Sequence, residues 1–296
     1  MQTLKERFDI PGLVSIEPGN GGLTKIVITS PLADAEIYLH GAHVTHFQPR
    51  GQQPLLWMSK SSNFAPDKPI RGGVPICFPW FGPNISNPTL PAHGFARLRP
   101  WQIESITSNG QSLTVSLSLE ADSATRALWP HDFRAQHVVT VGRNLEMNLI
   151  IQNLSAGPIR FEEALHTYLT VGDARQISID GLGGASYIDK VDGAQTKPQT
   201  DPQIRFTGET DRVYLNTQSM CTLNDPVMKR KIEIAKSGSN NTVIWNPWIN
   251  KSKAMPDFGD EEWPTMTCIE TANAGPSPTD LPAGATHTMT ARISVV

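Results

Sequence analysis

The feature that most constrains this chain is alternation of apolar and polar residues with a period of two, because only an extended strand sets every second side chain on one face. Leu113, Val115, Leu117 and Leu119 alternate with Thr114, Ser116 and Ser118. This run follows Trp101 to Thr107 across Asn109-Gly110, residue types suited to the left-handed backbone of a tight hairpin. A second hairpin is predicted where Phe133 to Val141 passes through Gly142-Arg143-Asn144 into Leu145, Met147, Leu149 and Ile151. The chain closes on Met289, Ala291, Ile293 and Val295 alternating with polar residues, and both of its ends are expected to be strand. Helical character is confined to Asp122 to Trp129, predicted to make one or two turns capped by Asp122 or Ser123 and stopped before Pro130.

The 24 prolines and 23 glycines favour many turns over long helices. Loops at 59–69, 82–91, 192–203 and 248–264 interrupt the pattern, but strand alternation resumes after each without a change in composition. No linker is evident. The reading is an all-β fold, a large antiparallel β-sandwich with very little helix, forming one domain over residues 1–296. Function is expected on the long loops and on one face of the sandwich.

Composition excludes several classes of partner. A formal net charge of -3 provides no global field for nucleic acid or an acidic membrane, so anion recognition must come from a local cluster of Arg or Lys. The triplet Lys229-Arg230-Lys231 reads as a solvated turn. Cys77, Cys221 and Cys268 are widely spaced, without a C-x-x-C pair, and read as buried free thiols. With no run of 18 apolar residues and no apolar core in the first residues, the expectation is a cytoplasmic monomer that meets small molecules. Gly181-Leu182-Gly183-Gly184 lacks the last glycine and the following helix of a dinucleotide fingerprint, and no phosphate-binding P-loop occurs. On a strand His43 faces opposite to His40 and His46, so these three do not share an ion, and neither a metal nor an organic cofactor is expected. Glu162, Glu163, Asp260, Glu261, Glu262 and Glu270 supply carboxylates enough for a glycosidase, but no pair stands out.

Three segments carry chemistry. Residues 70–101 are apolar and glycine-rich, punctuated by Arg71, His93 and Arg97. Arg71 precedes Gly72-Gly73, where backbone can approach a ligand closely, and two converging arginines would hold a phosphate dianion by forked, charge-assisted hydrogen bonds. Each arginine could equally pair with a carboxylate of a loop. Residues 160–170 read as a strand on which His166 shares a face with Ala164 and Tyr168, while Leu165, Thr167 and Leu169 point the other way. Such a histidine could be a hydrogen-bonded core residue, so it needs a partner. In residues 265–273, Glu270 shares a face with Met266, Cys268 and Ala272 and is expected to be partly desolvated; a buried carboxylate tends to be paired or catalytic. A His/Glu pair is the minimal apparatus for moving one proton on and another off a small substrate.

The segments RGGVPICFPWFGP (71–83), LPAHGFARLRPW (90–101), EEALHTYL (162–169), TDRVYLN (210–216) and CIETAN (268–273) resemble the glucose-6-phosphate 1-epimerases, a branch of the aldose 1-epimerase group. The resemblance spans nearly the whole chain. It implies a galactose mutarotase-like supersandwich with a hexose 6-phosphate on its concave face. Under it, His166 is the general acid toward the ring oxygen, Glu270 the general base toward the anomeric hydroxyl, Arg71 and Arg97 the phosphate ligands, Asp211 a ligand to a sugar hydroxyl, and His93 a further contact. Some relatives carry an amide where Ala92 stands. Two other readings remain at this stage, an epimerase of unphosphorylated aldoses and a non-catalytic carbohydrate-binding module on the same scaffold.

Overall fold

The computed structural model describes residues 1–296. Strands dominate it, in a four-stranded sheet near the N-terminus, a two-stranded ribbon, and two sheets of eight strands each. One large sheet runs in the order Gln195–Pro198, Ser186–Asp189, Thr210–Leu215, Asn241–Asn246, Met266–Asn273, Glu163–Leu165, Ile76–Cys77, with Tyr168–Thr170 also on Met266–Asn273. The other runs Ser178–Asp180, Cys221–Asp225, Arg230–Ser237, Thr286–Val295, Leu145–Asn153, Phe133–Val141, Leu113–Glu120, Gln102–Ser108. A core of 56 buried residues lies between them, with Leu165, Leu169, Ile244 and Ile269 from the first sheet and Val139, Leu149, Met289 and Ile293 from the second. This is the expected β-sandwich, and the alternation is its cause: Phe133–Val141 and Leu145–Asn153 bury every second residue.

Both predicted hairpins form. The first is longer at its tip than an Asn-Gly turn implies, since Ser108 pairs with Leu113 and leaves residues 109–112 as the loop. Asn109 Oδ1 accepts the N–H groups of Gln111 and Ser112, so its side chain builds the turn and Gly110, at φ 86°, supplies the left-handed residue. The short helix Ser123–Leu128 is capped by Asp122, which accepts the Thr125 N–H at 2.7 Å while the Thr125 hydroxyl accepts the Asp122 N–H.

Three expectations are corrected. The N-terminus is not strand: Gln2–Phe8 is helical, with Leu4 and Phe8 on one side against the core. The 248–264 segment contains the helix Trp248–Ala254. Of the basic triplet, only Lys229 and Lys231 are exposed. Arg230 is buried and donates to the carbonyls of Gln53, Pro54 and Thr170, a clamp between sheets that no local pattern signals. The three cysteines are buried free thiols, as expected. His40 and His43 contact the Lys68 and Gly72 carbonyls through Nε2, a structural use of both rings. No helix is long and apolar enough to cross a membrane.

Candidate active site

Sheet register assembles the site. Across three strands Asp211 lies opposite Trp245 and Trp245 opposite Cys268, which in turn faces Tyr168. The next row on the same face runs Ile188, Val213, Val243, Glu270. Glu163–Leu165 and Tyr168–Thr170 pair with Met266–Asn273 in one continuous register, Leu165 on Thr271 and Tyr168 on Cys268, so His166 falls opposite Glu270. Between the two segments the Thr167 N–H turns back to the Leu165 carbonyl, and the His166 N–H donates to Pro75. The predicted single strand is thus broken at the histidine, but its facing holds: Ala164, His166 and Tyr168 line the site while Leu165 and Leu169 enter the sandwich core.

His166 Nδ1 stands 3.4 Å from Glu270 Oε1. The geometry is a close approach without a hydrogen bond, and both His166 Nδ1 and Glu270 Oε2 are buried with no hydrogen-bond partner. Unsatisfied buried polar atoms are costly and call for an explanation, of which a catalytic or ligand-binding role is one. The imidazole is held by stacking on Tyr168, with ring centroids 4.7 Å apart and planes at 9°, and by the edge of Trp245 at 6.0 Å. The Tyr168 hydroxyl accepts from Arg71 Nη1 at 2.9 Å.

The candidate phosphate ligands differ in availability. The Arg71 guanidinium is engaged by Asp257 through Nε and Nη2, at 3.2 and 3.0 Å from Oδ2, so the carboxylate alternative is realised here. Arg97 has no carboxylate partner; Nη2 donates to the Ala92 carbonyl at 2.8 Å and Nε is buried without a partner. His93 sits at φ 64° before Gly94, where a Cβ would lie 2.0 Å from the Phe78 carbonyl oxygen. Its Nδ1 accepts the Gly82 N–H and meets the Cys77 thiol, each at 3.3 Å, which places the proton of the neutral ring on Nε2. The His93 ring lies 5.7 Å from that of His166.

Burial sets the electrostatics. It pushes His166 well below the ordinary histidine range, and the charges of Arg71 and Arg97 push the same way. Burial also lifts Glu270 well above the usual carboxylate range, helped by Asp211, whose own carboxyl is raised by desolvation. Both directions disfavour the charged form of each partner when no substrate is bound. Lys190 adds an exposed cation at the rim, 4.6 Å from the centre of the Phe81 ring. It borders a cavity of about 430 Å³ that also reaches Phe81, Ile188 and Val213, so this space abuts the row containing Glu270.

His166, Glu270, Arg71, Arg97, His93 and Asp211 are therefore gathered around one face. Sequence reasoning passed over Asp257, Lys190 and Trp245. Asp257 lies in a Lys- and Pro-rich loop with no periodic signal, whereas Trp245 ends the short apolar run Val243-Ile244-Trp245, which reads as a buried strand and was open to detection.

A sandwich of this topology, with a buried histidine and glutamate facing each other on one sheet, is the architecture of the carbohydrate epimerases of the mutarotase type. The sequence matches the aldose 1-epimerase family over residues 24–294, and the chain belongs to that family, which makes it an isomerase. It is 37% identical to an Escherichia coli K12 protein named "putative glucose-6-phosphate 1-epimerase", over 92% of each chain. Its structure is similar to that of a "putative mutarotase (YeaD)" from Salmonella typhimurium, with a TM-score of 0.91, 33% identity, and coverage of 98% of this chain and 95% of the other. The fold extends to galactose 1-epimerase of Lactobacillus acidophilus, with a TM-score of 0.72 at 13% identity over 96% and 98% of the two chains.

Proposed function

We propose that the protein interconverts the α and β anomers of D-glucose 6-phosphate, with His166 and Glu270 as the acid/base pair. The observation that carries this reading is the 3.4 Å approach of two buried, unpartnered groups that can exchange a proton. The Glu270 carboxylate takes the proton of the C1 hydroxyl, the electron pair forms the carbonyl, the bond from C1 to the ring oxygen breaks, and the ring oxygen takes a proton from the His166 imidazolium. Rotation about C1–C2 and the same steps in reverse close the ring from the other face. Neutral imidazole with carboxylic acid differs from imidazolium with carboxylate only by moving one proton between the partners. A phosphate dianion beside Arg71 and Arg97 offsets the positive field that lowers His166, so substrate itself favours the ionised form.

In this reading Asp211 and His93 bind hydroxyls of the ring, and Arg97, free of any carboxylate, is the principal phosphate ligand with Arg71 beside it. The name carried by the Escherichia coli relative supports this substrate. One observation favours a second reading, an epimerase of unphosphorylated aldoses: Asp257 already neutralises Arg71. Exchange spectroscopy by NMR on glucose 6-phosphate tests the first. Wild-type protein is expected to accelerate anomer exchange, with roughly 10²- to 10⁴-fold loss of kcat in Glu270→Gln and in His166→Ala. Undiminished exchange in either variant, or preference for free glucose over its phosphate, would refute the assignment.

A further inference from the structure

We propose that His166, Cys268 and Glu270 form a three-ligand site for a thiophilic divalent cation of the zinc class, and that occupation of this site switches off the acid/base pair. One imidazole nitrogen, the Cys268 sulfur and one carboxylate oxygen lie within 4.8 Å of one another, and all three residues are buried. Strand register imposes this triangle. Cys268 and Glu270 alternate onto one face of the same strand, and His166 stands opposite Glu270 on the neighbouring one. A tetrahedral ion with Zn–N of about 2.0 Å and Zn–S of about 2.3 Å needs ligand edges of about 3.5 Å, so shifts on the order of 1 Å complete the geometry. The His166–Glu270 edge of 3.4 Å already meets it.

A second observation points to a ligand. His166 Nδ1 and Glu270 Oε2 belong to side chains that are only 9% and 1% exposed, and neither atom has a hydrogen-bond partner. The mixed N, S, O donor set suits zinc and its soft neighbours, while magnesium and calcium prefer all-oxygen sites. Three protein ligands leave a fourth position for water. Binding forms a metal–thiolate bond and releases the thiol proton to solvent. The coordinated imidazole and carboxylate can then neither give nor take a proton, so the ion inhibits. Cys268 has no task in the proton transfers proposed above, which makes it the residue that separates metal binding from catalysis.

The inhibitory half rests on the proposed epimerase reading, so binding and activity are measured separately. Purified protein is titrated with Co²⁺, read by the cobalt–thiolate charge-transfer absorption, and Zn²⁺ is then added as competitor. The expected result is a band saturating at one ion per chain, bleached by Zn²⁺ and absent in Cys268→Ala, with the ion bound more than about 100-fold weaker in Glu270→Gln, beyond what loss of an outer-shell partner causes. Zinc inhibition of anomer exchange, scored against each variant's own basal rate, is expected in wild type and lost in Cys268→Ala. No band in wild type, a band surviving in Cys268→Ala because Cys77 or Cys221 supplies it, or zinc inhibition persisting in that variant would overturn the proposal. Metal binding without any exchange activity would leave the site standing and remove the epimerase reading, and activity without binding would do the reverse.

Discussion

Arg71 and Arg97 illustrate how two residues of the same type, read together from sequence, part company once partners are known. Arg71 is fixed by a bidentate carboxylate and a tyrosine hydroxyl, which hold it firmly cationic in spite of burial. Arg97 is buried with one nitrogen unspent, and burial together with the Arg71 charge pulls its affinity for a proton down. An arriving dianion relieves that repulsion. Arg97→Ala is therefore expected to raise KM for glucose 6-phosphate by about 10- to 100-fold, the value of one charged hydrogen bond at ~1.5–3 kcal/mol, and to leave kcat/KM for free glucose unchanged. Steady-state kinetics on both sugars checks this, and an equal loss on both would assign Arg97 to the frame of the loop. The facing of His166 and Glu270 was legible because both fall in segments read as extended, where facing follows from counting, even though the first segment is interrupted at His166. Asp257 was not, since a loop residue's partner is set by long-range packing that leaves no local trace.

At the scale of elements, the strands that carry the site on one face carry another histidine–glutamate contact on the other. Glu163 lies in the strand just before His166, and its Oε1 accepts from His287 Nε2 at 2.7 Å, from the strand Thr286–Val295 of the opposing sheet. Burial lowers the affinity of His287 for its proton, but the hydrogen bond and charge of Glu163 outweigh it and the net direction is upward from 6.5. A histidine raised on folding contributes stability that is whole below its unfolded value and fades as pH rises through the folded one. The excess Tm of wild type over His287→Gln is thus expected to be largest near pH 6 and to shrink as pH rises above about 6.5. Lys236 and Asp280 line a polar cavity together with His287, and burial lowers Lys236 to about 8; its own linkage runs above that value with the opposite slope, which leaves the lower window to His287. A Tm difference flat across that window would show that the pair contributes no linkage. Alternation revealed part of the second large sheet, including the hairpins at 102–120 and 133–153 and the last strand. Which strands become neighbours across long loops, as Met266–Asn273 does with Asn241–Asn246 and Glu163–Leu165, depends on distant closure and is absent from any short window.

For the molecule as a whole, one large core contains Phe8 from the first helix and Ile293 from the last strand, and a smaller buried cluster holds Trp57, Trp245 and Trp263 beside the site. The floor of the site is the outer surface of a sheet whose inner surface is that core: Leu165 points into it while the adjacent His166 points out. Site and core should therefore melt together. Near-ultraviolet circular dichroism of the tryptophans around the site, Trp57, Trp245 and Trp263, is expected to lose amplitude at the same temperature as the far-ultraviolet strand signal, although chains of this length often unfold in stages. Leu165→Ala removes fully buried side-chain volume and is expected to cost about 2–5 kcal/mol, lowering both transitions by the same several degrees. Were the aromatic signal to fall first, and to fall further in Leu165→Ala while the strand signal stayed put, the site would be a separately unfolding layer and the one-core reading would be wrong.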